Sequence, residues 1–169
     1  ESLGKQHDIL ILCAGQGGAY TSDILEMACG CVRKTSRGAR VGLVVKNHPK
    51  LRDQMVLMKL TGITTRLGMD HQNMVIAPSS LSTDVLASVC HFSFTCFGAA
   101  LRIAALARNF PVCVMTPATI AAMEAEKKLS RTSLGTVGAA YEMFEPVDLE
   151  KLLEHDGPKV RVQQEEYVT

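Results

Sequence analysis

The chain has 169 residues, 47% of them apolar, which is enough for one substantial core and too few for two full-sized domains. Eighteen Lys and Arg stand against 17 Asp and Glu, so no long-range field gathers nucleic acid or an anionic membrane, and neither is expected as a partner. No apolar run reaches the roughly 20 residues needed to cross a bilayer, and Glu1-Ser2-Leu3-Gly4-Lys5 lacks a signal peptide's apolar stretch, while the missing initiator Met suggests either a trimmed chain or a fragment.

Short apolar runs alternate with stretches of helical period, the pattern of βα units in a parallel sheet, so a three-layer α/β/α domain of the Rossmann type with about six strands is expected over residues 1–158. Asp8 to Cys13 is nearly continuous in Ile and Leu, as a strand covered on both faces should be, and is placed at the centre. Gly15-Gln16-Gly17-Gly18 breaks the chain. Thr21, Ser22 and Asp23 offer caps for a helix with Ile24, Leu25, Ala28 and Val32 on one face.

Val41 to Lys46 predicts the second strand, closed by Asn47-His48-Pro49. A short helix over Leu51 to Leu60 follows, stopped by Gly62, and Ile63 to Met69 reads as either a weak edge strand or a loop. Met74 to Ala77 is a strand ending at Pro78, and Ser79 to Asp84 carries capping chemistry into a short helix with Val85, Leu86 and Val89 inward.

His91 to Cys96 is the next strand, and Phe97-Gly98 turns it into a helix rich in small residues that packs close to the sheet. Asn109 suits the left-handed position after that helix, and Pro111 opens a strand over Val112 to Met115. Ala118 to Leu129 is helical, Tyr141 to Phe144 is a final strand, and Pro146 starts a helix with Leu149, Leu152 and Leu153 buried. Gly157-Pro158 ends the fold, leaving residues 159–169 as a charged tail.

Six cysteines (Cys13, Cys29, Cys31, Cys90, Cys96 and Cys113) lie mostly in apolar runs, where a reduced thiol behaves as a small hydrophobe. A reducing, cytoplasmic location is expected. Cys29-Gly30-Cys31 has the wrong spacing for a zinc knuckle and no matching pair elsewhere, so packing or a helix end accounts for it and no metal is expected.

Ligands of open parallel sheets sit beyond the carboxyl ends of the strands, where helix amino ends present free N–H groups. Four loops qualify. Gly15, Gln16, Gly17 and Gly18 allow close backbone approach, although they form neither a Walker loop nor the full dinucleotide fingerprint, and a plain tight turn serves equally. Lys46 and His48 put an ammonium and an imidazole at the second strand's mouth, each able to meet a phosphate. Ser79 and Ser80 offer hydroxyls to a base or ribose. Phe97, Gly98 and Ala99 begin a helix whose first turn is nearly bare of obstructing side chains, so a diphosphate fits there and Arg102, one turn in, reaches it. Packing explains the same small residues. No serine, histidine and acid trio has a nucleophile-elbow context, His91 reads as a core-edge residue, and acids are too scarce in the loops for a carboxylate-held Mg²⁺.

The order of these motifs resembles the carboxyl-terminal, donor-binding domain of GT-B fold glycosyltransferases. Lys46-Asn47-His48-Pro49 resembles that family's "K-x-H-P" strand end, and Asn73 to Val89 resembles the strand, loop and helix that follow. Thr95-Cys96-Phe97-Gly98 through Pro111-Val112 resembles its glycine-started helix and next strand, and Glu145 to Leu153 resembles its closing helix. The resemblance implies a nucleotide-sugar donor with its diphosphate at Gly98 and its base near Ser79 and Ser80. It implies no metal or cofactor, and stabilisation of the leaving nucleoside diphosphate by His48, Lys46 and Arg102. It also implies an acceptor site and general base on a partner domain or subunit. The family places a ribose-binding glutamate seven residues before the proline, where this chain has Ala104. Two alternatives stand beside it. Gly15 to Tyr20 and Ala77-Pro78-Ser79-Ser80 resemble the FMN loops of flavoproteins related to phosphopantothenoylcysteine decarboxylase and flavin prenyltransferase. Ala104 also fits an interaction domain that kept the nucleotide-binding shape and lost its chemistry.

Overall fold

The computed structural model describes residues 6–14, 20–35, 40–46, 58, 61–63, 65–66, 68, 73–78, 80–127 and 131–168. Its strands are β1 (Ile9–Ala14), β2 (Val41–Lys46), β3 (Met74–Ile76), β4 (Phe92–Thr95), β5 (Phe110–Val114) and β6 (Tyr141–Met143). They form one sheet in the order β3-β2-β1-β4-β5-β6 with every pairing parallel. Each expected strand is present within two residues of its expected bounds, and β1 is central. β2, β4 and β5 are buried along their whole length, as apolar runs covered by two layers should be, although β4 buries the hydroxyls of Ser93 and Thr95 on one face.

Pro111 sits inside β5 without breaking it. Phe110 N–H donates to the His91 carbonyl on the β4 side, so the nitrogen of Pro111 faces the other way, and β6 begins only opposite Val112. The missing donor therefore falls where there is no strand to bond.

Side chains alternate between two cores. Ile9, Ile11 and Cys13 of β1, Phe92 and Phe94 of β4, and their neighbours pack with α1 (Tyr20–Lys34), α4 (Pro117–Lys127), α5 (Ser133–Thr136) and α6 (Leu149–His155). Leu12, Ala14 and Val44 face the opposite layer, built from α2 (Thr83–Val89) and α3 (Ala99–Leu106). Phe92 contacts Phe94 edge-on at 6.2 Å and Phe110 at 5.3 Å between ring centroids, which ties β4 to β5 at the heart of the larger core.

Several helices differ from expectation. α1 starts at Tyr20, so Thr21, Ser22 and Asp23 lie in its first turn rather than capping it, while Ile24, Leu25, Ala28 and Val32 are buried as read. α2 turns Leu86 and Ala87 inward and leaves Val85 and Val89 about half exposed. Two turns are too short for apolar spacing to fix a helix's phase, because Leu86, Ala87 and Cys90 make as good a face as Val85, Leu86 and Val89. Helical backbone at residues 61–63 and 65–66 shows that Gly62 does not stop a helix, since an interior glycine costs only about 1 kcal/mol. The helix expected over Leu51 to Leu60 lies almost wholly outside the described residues.

The carboxyl-terminal region departs most. α6 is capped by Asp148, whose carboxylate accepts from the N–H groups of Glu150 and Lys151, not started at Pro146. Residues 159–169, expected as a tail, belong largely to α7 (Gly157–Val168), which buries Val160 and Gln164 and sends Gln164 Nε2 to the Asn109 carbonyl at 2.8 Å. One apolar and one amide side chain among charged ones give almost no helical stripe, so this docking was invisible in sequence. Cys29-Gly30-Cys31 lies inside α1, where Gly30 admits the ring of Pro146 so closely that any Cβ would collide with it.

Candidate functional site

The chain leaves β1 to build β2 and β3 on one side, then crosses to β4 and builds β5 and β6 on the other. The order therefore reverses between β1 and β4, and the crevice beyond their carboxyl ends is where an open sheet of this kind holds a ligand. From β4 that crevice receives Cys96, Phe97 and Gly98; Gly15, Gln16, Gly17 and Gly18, which follow β1, lie outside the described residues.

Gly98 is the N-cap of α3 with φ 94° and ψ −157°, a backbone region essentially reserved for glycine. The turn is therefore sequence-specified. No side chain caps the helix, so the N–H groups of its first turn remain open to a ligand, backed by roughly half a positive charge from the helix dipole. Gly98 and Ala99 are exposed, whereas Leu101, the next buried residue, roots the helix in the core.

A cleft of about 150 Å³ opens at this point, lined by Phe97, Gly98, Leu101, Arg102, Met123, Arg131, Thr132, Ser133 and Leu134. Arg102 is exposed and, among the described residues, unpaired. Phe97 is buried in the larger core, so it forms the cleft floor. The opposite wall comes from α5, where Thr132 caps the helix by accepting from Gly135 N–H at 2.9 Å. Arg131 donates through Nε to Glu142 at 2.8 Å and through Nη2 to the Gly135 carbonyl at 3.1 Å. That carboxylate holds the Arg131 guanidinium above its ordinary pKa by hydrogen bonding and charge, and the same ion pair, at 2.7 Å, offsets its positive charge within the wall. Thr95, fully buried at the end of β4, has a hydroxyl without a partner among the described residues.

Phe97, Gly98 and Arg102, which the sequence reading grouped with Ala99, line this cleft, and so do Arg131, Thr132 and Ser133, which it did not single out. The capping pair Thr132 and Ser133 was a local signal for a helix start; nothing local tied it to Gly98. Lys46 stands at the end of β2 opposite Ala14, nearly buried, with Nζ donating to the Pro78 carbonyl at 3.1 Å. It therefore clamps the loop that carries Ser80, which is exposed. His48 and Ser79 lie outside the described residues. Ala104 is fully buried on the inner face of α3, where a carboxylate would be desolvated unless paired.

All six cysteines are free and buried. Burial raises Cys29 and Cys31 to about 11 and Cys90 and Cys113 to about 12, and pushes Cys13 and Cys96 well up. None is a poised nucleophile. Among the described residues no group of three or more His, Cys, Asp or Glu is arranged to hold a metal ion, and no helix is long and apolar enough to cross a membrane. A larger hollow of about 590 Å³ lies beside Met58, Thr61, Gly62, Thr65 and Arg66, and among these described residues the one charged group, Arg66, is paired with Glu26.

No family model and no curated protein matches the chain. Solved structures do. An α,α-trehalose 6-phosphate synthase from Burkholderia multivorans aligns with TM-score 0.64 at 12% identity, over 99% of this chain and 39% of that one. MnaA of S. aureus, solved with UDP, aligns with TM-score 0.57 at 10% identity, over 97% and 42%. The C-terminal domain of a group 1 glycosyl transferase (LpcC) from Francisella tularensis aligns with TM-score 0.57 at 14% identity, over 94% and 82%. The chain spans about two fifths of the first two proteins and most of the isolated C-terminal domain. At these identities the likeness is one of fold, and the fold is that of the carboxyl-terminal domain of a GT-B glycosyltransferase.

Proposed function

We propose that this chain is the donor-binding half of a metal-independent glycosyltransferase, holding a nucleoside diphosphate at the amino end of α3. The observation that carries the reading is the cleft beyond the carboxyl end of β4, where the uncapped first turn at Gly98 carries Arg102 and lies across from Arg131, which is tied to Glu142. Breaking the bond from the sugar's anomeric carbon to the diphosphate leaves negative charge on the departing oxygen. The Arg102 guanidinium and the amino end of α3 stand where that charge would develop, which is electrostatic stabilisation without metal. One structural neighbour was solved with UDP and another, a UDP-forming trehalose-phosphate synthase, with glucose 6-phosphate, which supports a uridine diphosphate donor. Neighbours more than twice as long support a partner domain or subunit that supplies the acceptor site and general base.

The test is thermal stabilisation by UDP, CDP, GDP, CMP, UDP-sugars and FMN, since a ligand that binds the native state raises its melting temperature. A nucleoside diphosphate is expected to stabilise the protein, and Arg102→Ala to weaken that binding about tenfold or more, the range of a charge-assisted hydrogen bond. Stabilisation by FMN alone, with a yellow protein, would overturn the reading in favour of a flavoprotein. Protein partners without any nucleotide response would favour the interaction domain.

A further inference from the structure

The opposite end of the sheet holds a second cavity, of about 180 Å³, at the amino ends of β4 and β5. Its described lining includes His91, Arg108, Asn109, Arg161 and Gln164 and contains no Asp or Glu. Arg108 follows α3 in the left-handed conformation, φ 56°, and Arg161 comes from the first turns of α7. Neither guanidinium has a hydrogen bond or ion pair among the described residues. His91 Nδ1 accepts from Leu10 N–H at 3.1 Å, so the neutral ring carries its proton on Nε2 as a further donor.

The ordinary role for basic groups in this place is to complement helix carboxyl ends, because α2 and α3 both finish here. The hydrogen bonds assign that role elsewhere. Asn109 Nδ2 donates to the carbonyls of Ala87 and Cys90 at 3.1 and 3.0 Å, and the N–H groups of Ala107, Arg108 and Asn109 serve Ile103, Ala105 and Ala104. The carbonyls of Ala87, Cys90, Ile103, Ala104 and Ala105 therefore have their donors without the arginines. Two helix ends contribute about one negative charge between them, against two full positive charges that never ionise away. The cavity keeps a positive surplus. Asn109 is 5% exposed, and its Oδ1 is buried without a partner among the described residues, an acceptor available to a ligand hydroxyl or a bound water.

We infer that this cavity is a second anion site, separate from the Gly98 cleft, which takes a phosphate or phosphate monoester group between Arg108 and Arg161. Arginine forks match phosphate oxygens, and a cavity of about 150 Å³ already accommodates a six-membered ring, so a small sugar or glycerol phosphate fits. The group could reach it free in solution or as a lipid headgroup.

The clean variant is Arg108→Gly with Arg161→Gln. Glycine adopts the left-handed backbone of position 108 without strain, and glutamine keeps helix propensity at 161, so the fold and the Gly98 cleft are retained. Binding is measured by calorimetry with inorganic phosphate and with glycerol 3-phosphate, and by co-sedimentation with phosphatidylcholine vesicles with and without phosphatidic acid. Saturable binding of a soluble phosphate, or phosphatidic-acid-dependent sedimentation, weakened at least tenfold in the double variant and unchanged in Arg102→Ala, is expected, and which arm responds identifies the source. Binding that survives the double variant, binding lost in Arg102→Ala, or no saturable binding of any probe would overturn the site.

Discussion

Gly98 carries the site's geometry in one backbone conformation. At φ 94° and ψ −157° a Cβ is strained by about 1–3 kcal/mol, so Gly98→Ala is expected to lower the urea midpoint by that equivalent and to abolish nucleotide stabilisation. Arg102→Ala separates the two effects. Its side chain is exposed and unpaired, so stability should stay within about 0.5 kcal/mol while nucleotide binding weakens. Gly30 poses a different contest. Alanine there gains about 1 kcal/mol of helix propensity but collides with the ring of Pro146, which is fixed by its own backbone. Overpacking costs about 1–3 kcal/mol, so Gly30→Ala should be net destabilising in denaturant titrations. Composition and spacing flagged Gly98 because a strand ran into it and a helix ran out; they gave Gly30 only as part of a packed Cys-Gly-Cys segment, since its partner lies 116 residues away.

Among the elements, α7 is the most informative. Its residues look like a charged tail, yet Val160 and Gln164 are buried and Gln164 joins the Asn109 carbonyl. Deleting residues 157–169 is therefore expected to lower the melting temperature by several degrees, an equilibrium change of roughly 2 kcal/mol or more from one buried valine and one buried hydrogen bond. A chain unchanged in stability would restore the tail reading. α2 teaches the same lesson in reverse. Leu81, Val85 and Val89 are 40%, 48% and 61% exposed although hydrophobicity placed the two valines inside. In a helix of two turns, the sheet decides which face turns in.

For the molecule as a whole, the six buried thiols set its alkaline limit. Their folded pKa values are raised, Cys29 and Cys31 to about 11 and Cys90 and Cys113 to about 12, while thiols of the unfolded chain ionise near 8.5. The unfolded state therefore loses protons first. Stability from these groups is fully present below about pH 8.5 and falls as pH rises toward 11–12, by up to about 1.4 kcal/mol per pH unit for each thiol in the window. Urea melts at pH 7, 9 and 10 should show this decline, and a thiol reagent at pH 8 should label the native protein slowly and the unfolded protein completely.

What the sequence determined alone was whatever depends on neighbours along the chain. Strand existence and burial came from unbroken apolar runs such as Ile9 to Cys13. The turn at Gly98 came from a glycine between a strand and a run of small residues. The motif order that resembles a GT-B donor domain came from the same local signals. The tertiary structure alone decided which distant groups meet: Arg131 across the cleft from Arg102, Lys46 bound to the Pro78 carbonyl rather than free for phosphate, Pro146 against Gly30, and Arg108 beside Arg161. Those pairings depend on strand order and helix phase. Both are set by how the layers bury one another, and no local stretch of residues encodes that.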